Sequence, residues 1–229
     1  MRHRSTRPDG CAAAHALSVV GERWALLVVR ELLFGPKRFT DLHAGLRGAS
    51  PNALSQRLRD LEQAQVIRRR KLGPPAGAWV YELTEWGQEL EAVLVALGRW
   101  GRLSSLRDPD AETGIDSIML AVKGHFQPDA AGDLTATYAL QIDGDQFWVR
   151  VHDRAIEVRR GELPQADAAV RTDLGTFTAL VTGRQPLRRA VEDGRVSVAG
   201  NRRAVQRLFD ALTPEGGVGS PAGTRPVSR

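Results

Sequence analysis

At 229 residues, 42% hydrophobic and 26% charged, the chain is long enough for two modest globular domains, and no apolar run reaches the length of a membrane span. Its single cysteine, Cys11, excludes an internal disulfide framework and fits a reducing cytoplasm; the basic start "MRHRSTRPDG" leads into no apolar stretch and is not read as a secretory signal. The net charge of +5 is uneven: residues 1–107 hold 17 Lys and Arg against 10 Asp and Glu, while residues 108–229 hold 15 against 17, so a polyanion is the expected partner of the first half only.

The first half reads mostly as helices. "CAAAHALSVVG" is a short one stopped by Gly21, and "WALLVVRELLFG", apolar nearly all round, is expected deep in a core. "FTDLHAGL" follows with Thr40 as its expected N-cap. "SPNALSQRLRDLE" then carries two start signals, Ser50 as N-cap and Pro51 at the first helical position. After it the period changes. "VIRRRKL" and "AWVYELT" are strand-like and joined by the turn-forming "GPPAG", and Thr84 is expected to cap a long helix striped by Leu90, Val93, Leu94, Leu97 and Trp100.

The polar stretch "SSLRDPDAETG", where the charge changes sign, predicts a linker. The expected domains are 1–107 and 108–213, with a disordered Gly/Pro/Ser-rich tail at 214–229. Residues 115–126 read as a helix. The alternating segments "LTATYALQI", "QFWVRVH" and "AIEVRR", separated by "DGD" and "DR", read as an antiparallel meander with one buried face. "ADAAVRTD" and "RVSVAG" offer further strands, and "NRRAVQRLFDAL" a closing helix. The expected fold class is therefore α+β: an N-terminal winged helix-turn-helix domain, then a C-terminal domain of helices packed on an antiparallel sheet.

Three helices and a basic hairpin within about 70 residues are the order of a winged helix-turn-helix, whose second helix of the pair enters the DNA major groove. At 100° per residue, Asn52, Ser55, Gln56, Arg59 and Gln63 fall opposite the Leu54/Leu58/Leu61 stripe. Arg reads guanine, Asn and Gln read adenine, and Ser reads either. Lys37 and Arg38 are placed to grip phosphate and Ser50 is a further candidate DNA contact; of the "RRRK" run alternation lets only some face the backbone, with Arg69 and Lys71 available. An ordinary solvated helix face has the same composition; the order of elements and the charge asymmetry favour the DNA-reading alternative.

Residues 11–100 resemble the HxlR-type family of bacterial winged-helix regulators. The carrying residues are "VGERWALLVVRELLFGPKRFTDL", "SPNALSQRLRDLE", "VIRRR", "PP" followed by "VYELTEWGQEL", and Trp100. The resemblance implies a homodimeric transcription factor paired through its first and last helices. Two reading helices would then lie one DNA turn apart, roughly 34 Å, on a near-palindromic operator. The hairpin here, "PPAGAWVY", is longer than the family's and has no basic residue at its tip. Relatives use a cysteine at the head of the first helix as a redox or electrophile sensor, a place that Cys11 holds; a helix N-terminus and a protonated His15 would both lower its thiol pKa. The alternative is a small buried residue.

Residues 115–212 resemble sterol-carrier-protein-like domains, through the helix, the meander and the run from "ADAAVRTDLGTFTALVTGRQP" to "NRRAVQRLFDAL". That resemblance implies a tunnel for a small hydrophobic ligand, with Tyr138, Trp148, Phe177 and Leu180 as candidate pocket residues or, alternatively, core. No nucleophile elbow or phosphate loop occurs, and the five histidines lack metal-ligand spacing. His152 and Asp153, as strand neighbours, should face apart. The expectation is a cytoplasmic DNA-binding repressor with no catalytic site, cofactor or metal; a lipid carrier whose basic half docks on membranes is the rival.

Overall fold

The computed structural model describes residues 10–74, 77–106, 108 and 111–213. The tail expected at 214–229 lies outside the described residues. The chain divides into two compact units, Met1–Leu120 and Ala121–Arg229.

The first unit contains α1 (Ala12–Val20), α2 (Ala25–Leu32), α3 (Phe39–Gly45), α4 (Pro51–Gln63), β1 (Ile67–Lys71), β2 (Trp79–Leu83), α5 (Glu85–Gln88) and α6 (Leu90–Arg102), and it takes in the start of α7 (Ile115–His125). Its core is built from Val28, Val29 and Leu32 of α2, Leu42 of α3, and Leu54, Leu58 and Leu61 of α4. Ser50 caps α4, its Oγ accepting from the Ala53 amide at 3.2 Å, with Pro51 opening the helix. Two elements depart from expectation. Helix α3 starts earlier than Thr40, at Phe39, because Lys37 exchanges backbone hydrogen bonds with Tyr81 and keeps the chain extended up to Arg38, whose N–H the Asp41 carboxylate accepts. The long helix after Thr84 is broken at Glu89 into α5 and α6; Thr84 Oγ1 accepts from Gly87 N and donates to the Gln65 carbonyl. Along α6 only Leu94 of the expected stripe is fully buried.

The compact unit runs on past the polar stretch to Leu120. Arg47 pairs with Glu112, and Lys37 with Asp116 of α7, so these two carboxylates belong to the first unit's ion pairs.

The second unit holds the end of α7, α8 (Pro128–Ala131), β3 (Ala136–Ile142), β4 (Asp145–His152), β5 (Ala155–Arg160), β6 (Ala168–Thr172), α9 (Leu174–Val181), α10 (Leu187–Glu192), β7 (Val196–Gly200) and α11 (Arg202–Leu212). The sheet order is β5-β4-β3-β6-β7, antiparallel except where β6 runs parallel to β3. The Asp167 carboxylate accepts from Thr137 N and Oγ1 at 2.7 and 2.8 Å, which pins that parallel register. The hairpin turns Asp143-Gly144 and Asp153-Arg154 have positive φ at both central residues, the twist that two-residue hairpins require. Period-two burial puts Tyr138, Leu140, Phe147, Val149 and Val170 on the inner face. Asn201 caps α11 through the Ala204 amide, and α11 buries Val205, Leu208, Phe209 and Leu212.

Candidate nucleic-acid interface

Helix α3, the turn at 46–50 and α4 form the helix-turn-helix. Leu46 and Ala49 are buried in the turn, and Gly48 sits between them at φ +88°, a conformation that side chains resist. With Leu54, Leu58 and Leu61 facing inward, Asn52, Gln56, Arg59 and Gln63 are exposed on the opposite side and Ser55 is half-buried. Two of these groups order each other, with Asp60 as an anchor: Arg59 Nη2 donates to Gln56 Oε1 at 2.7 Å, and Gln56 Nε2 donates to Asp60 Oδ1 at 2.8 Å. Arg57 has a different position. It is largely buried and pairs with Asp60 and Glu22, which ties α4 to the segment before α2.

The β1–β2 hairpin sorts its cations by face. Arg68 and Arg70 both donate to Glu82, at 2.7 and 2.6 Å. Burial raises the Glu82 pKa, but the hydrogen bonds from Arg70 and Arg68 outweigh it and hold the carboxyl below its ordinary value. On the other face the register aligns Arg69 with Tyr81 and Lys71 with Trp79. The Arg69 guanidinium lies 4.7 Å from the Trp79 ring centre, and both Arg69 and Lys71 are exposed. Among the described residues neither Arg69 nor Lys71 has a carboxylate partner. In the hairpin register Glu82 sits directly across from Arg68.

Lys37 is corrected as a phosphate-gripping residue. Its Nζ lies 2.6 Å from Glu31 Oε2 and 2.5 Å from Asp116 Oδ2, and the side chain is mostly covered. The two carboxylates hold the ammonium inward and neutralise it. Arg38 and Ser50 remain exposed. Glu31 and Asp116 are themselves buried, and neither was singled out from the sequence; the signal for Glu31 was a charged pair, Arg30-Glu31, inside an otherwise apolar helix.

Cys11 is the exposed N-cap residue of α1. The backbone amides of Ala14 and Ala13, at the helix N-terminus, draw its thiol below the ordinary pKa, and His15 is not among the causes.

In the second unit, Tyr138 and Phe177 fill core. Tyr138 Oη donates to the Ala204 carbonyl at 3.0 Å, burial pushing its pKa up to about 12, and Phe177 meets Phe209 edge to face. Trp148 is corrected as a pocket residue, because strand alternation puts it on the outer face of the sheet, where Arg150 lies 5.1 Å above the ring. Leu180 borders an open cleft of about 540 Å³ with Leu187, Phe209, Gln206 and Asp210. His152 Nδ1 does reach Asp153, at 3.3 Å, because Asp153 begins the turn rather than continuing the strand; both are exposed. Among the described residues no three His, Cys, Asp or Glu cluster closely enough to hold a metal ion, and no single helix is long and apolar enough to cross a membrane.

An HxlR-like helix-turn-helix family model matches residues 19–108, and a model of the SCP-2 sterol transfer family matches residues 122–213. The chain is 40% identical over 97 residues to an uncharacterized HTH-type transcriptional regulator of Mycobacterium tuberculosis, covering 42% of this chain and 61% of that one, so it spans about three fifths of that relative's length. It is 35% identical over 85 residues to the HTH-type transcriptional regulator YodB of Bacillus subtilis, covering 37% of this chain and 76% of YodB. Similar solved structures include quinone-bound YodB from B. subtilis (TM-score 0.35, 32% identity, 40% of this chain and 97% of that one). The oxidized form of the redox regulator HypR is another (TM-score 0.39, 28% identity, 43% and 99%).

Proposed function

Since the chain belongs to the HxlR-like helix-turn-helix family of transcriptional regulators and carries an SCP-2-type domain behind that segment, we propose that it binds duplex DNA as a homodimer and represses by occupying a near-palindromic operator. The reading is carried by α4, which buries three leucines and turns Asn52, Gln56 and Arg59 to solvent immediately after the Gly48 turn. These are the side-chain types that match base edges in the major groove. Ser55 completes that edge, while Arg38, Ser50, Arg69 and Lys71 hold the phosphates, which carry affinity but little sequence information.

Arg59→Ala is expected to weaken operator binding by about 1–3 kcal/mol and to relax the choice at one base pair in each half-site. Fluorescence anisotropy against operators altered base by base checks this; equal weakening on all sequences makes Arg59 a phosphate contact instead. Retention by anionic vesicles as firm as by DNA would favour the lipid-carrier reading.

The second unit supplies the effector site in this proposal. The cleft beside Leu180 has the size of a small-molecule pocket and a partly apolar wall, which suits a small hydrophobic ligand. Such a ligand regulates only by binding the DNA-competent and incompetent dimers unequally. Cys11 is a second input: its exposed, acidified thiol suits oxidation. Diamide is expected to lower operator affinity of the native chain and leave Cys11→Ser unaffected; equal responses of the two remove Cys11 from the mechanism.

A further inference from the structure

The ion cluster at Lys37 connects more than two side chains. Glu31 receives Lys37 on one carboxylate oxygen and Arg30 on the other, at 2.6 and 2.7 Å. Asp116 receives Lys37 from the opposite side, and the side chains of Glu31 and Asp116 are only 5% and 2% exposed. Gly45, at the end of α3, makes room for the cluster, since a Cβ there would overlap the Glu31 carboxylate. The backbone of Lys37 is equally committed. Its N–H donates to the Tyr81 carbonyl at 3.0 Å, and its carbonyl accepts from Tyr81 N at 2.8 Å. Tyr81 in turn stands across from Arg69, whose guanidinium lies 5.8 Å from the Tyr81 ring.

A continuous path therefore runs from Asp116 on α7, through the Lys37 side chain and backbone, to the strand that carries Trp79 and Tyr81 beside Arg69. Buried ion pairs seldom add net stability, because desolvation offsets their attraction. What they do is penalise every arrangement in which a charge is left without its partner. Apolar packing at the same place would tolerate sliding of the hairpin root over α2 and α7; an ammonium held between two buried carboxylates does not.

We propose that Asp116 is a positioning residue for the wing: through Lys37 it fixes where β2 presents the Arg69/Trp79 face. Only the use of that face on DNA rests on the function proposed above. The placement itself is testable without DNA.

The experiment is hydrogen exchange of the full chain with no DNA present, comparing the native protein with Asp116→Asn and Gly45→Ala, which disturb the cluster from opposite sides. Exchange at the Lys37 and Tyr81 amides is expected to rise at least tenfold in both, with α4 and α11 unchanged. A merely structural role would raise exchange throughout the first unit; that uniform pattern, or no rise at Lys37 and Tyr81, overturns the proposal. Should either single variant fail to fold, the paired replacement Lys37→Met with Asp116→Leu removes the ammonium and the Asp116 carboxylate, leaves Glu31 paired with Arg30, and keeps the volume apolar. It is expected to fold and still show the fast wing root; native exchange in that variant means packing alone sets the wing. Failure of DNA binding with this exchange pattern intact would sink the function and leave the positioning role standing.

Discussion

Introducing charge at Leu97 and Trp100 together is expected to yield a monomer whose affinity for a full operator is lower by roughly 10²–10⁴. Both side chains lie on α6, and both are uncovered: Leu97 is 43% exposed and Trp100 is 75% exposed. Val93 on the same helix is exposed as well, as are Leu103 and Leu106 beyond its end and Leu17 of α1. Several exposed large apolar side chains on one helix mark an association site more than a solvated face. If a second copy covers it, two reading helices are held together and the second half-site is engaged at a high effective concentration. Breaking the pair forfeits that advantage without touching a DNA contact. Light scattering should report the change in mass, and anisotropy should show half-site binding unchanged while full-site binding collapses. A double variant that remains dimeric would show that the dimer is built elsewhere.

The second large effect lies one residue before Arg59. Leu58→Ala is expected to destabilise the first unit by about 2–5 kcal/mol, because the side chain is buried between Leu54 and Leu61 and its removal leaves a cavity as well as lost transfer energy. Arg59→Ala, on the exposed side of the same turn, should change stability by no more than about 0.5 kcal/mol. Urea unfolding followed by circular dichroism measures both. Neighbouring positions would thus separate folding from reading, since 100° per residue is enough to move from the core to the solvent edge. A loss below about 1 kcal/mol for Leu58→Ala would mean that the leucine stripe does not anchor α4.

The helices and hairpins whose hydrophobic period is unbroken were readable in the sequence. Ser50-Pro51 marked the start of α4, the Leu54/Leu58/Leu61 spacing its buried side, and Asp143-Gly144 the first turn of the meander. What could not be read locally depends on partners distant in sequence. Lys37 looked like a surface cation because Asp116, 79 positions later, is what turns it inward. The parallel placement of β6 beside β3 rests on Asp167 meeting Thr137 across 30 positions. The cap of α5 likewise depends on Thr84 reaching back to Gln65, 19 positions earlier. Trp148 illustrates the converse. Alternation with Phe147 and Val149 was present in the sequence, and it assigns the indole to the outer face once the inner one is known.

The place of Asp116 bears on how this molecule can be cut. The match to the helix-turn-helix family ends at residue 108, which invites a fragment stopping there. Such a truncation would discard one of the two carboxylates that neutralise Lys37 and leave the ammonium with Glu31 alone, a loss that stranded buried charges make costly. Ending after Leu120 would keep the cluster but sever α7 midway. No excision point between the two matched segments spares both the ion cluster and the helix, so the DNA-reading part is chemically complete only with residues that its own family pattern omits.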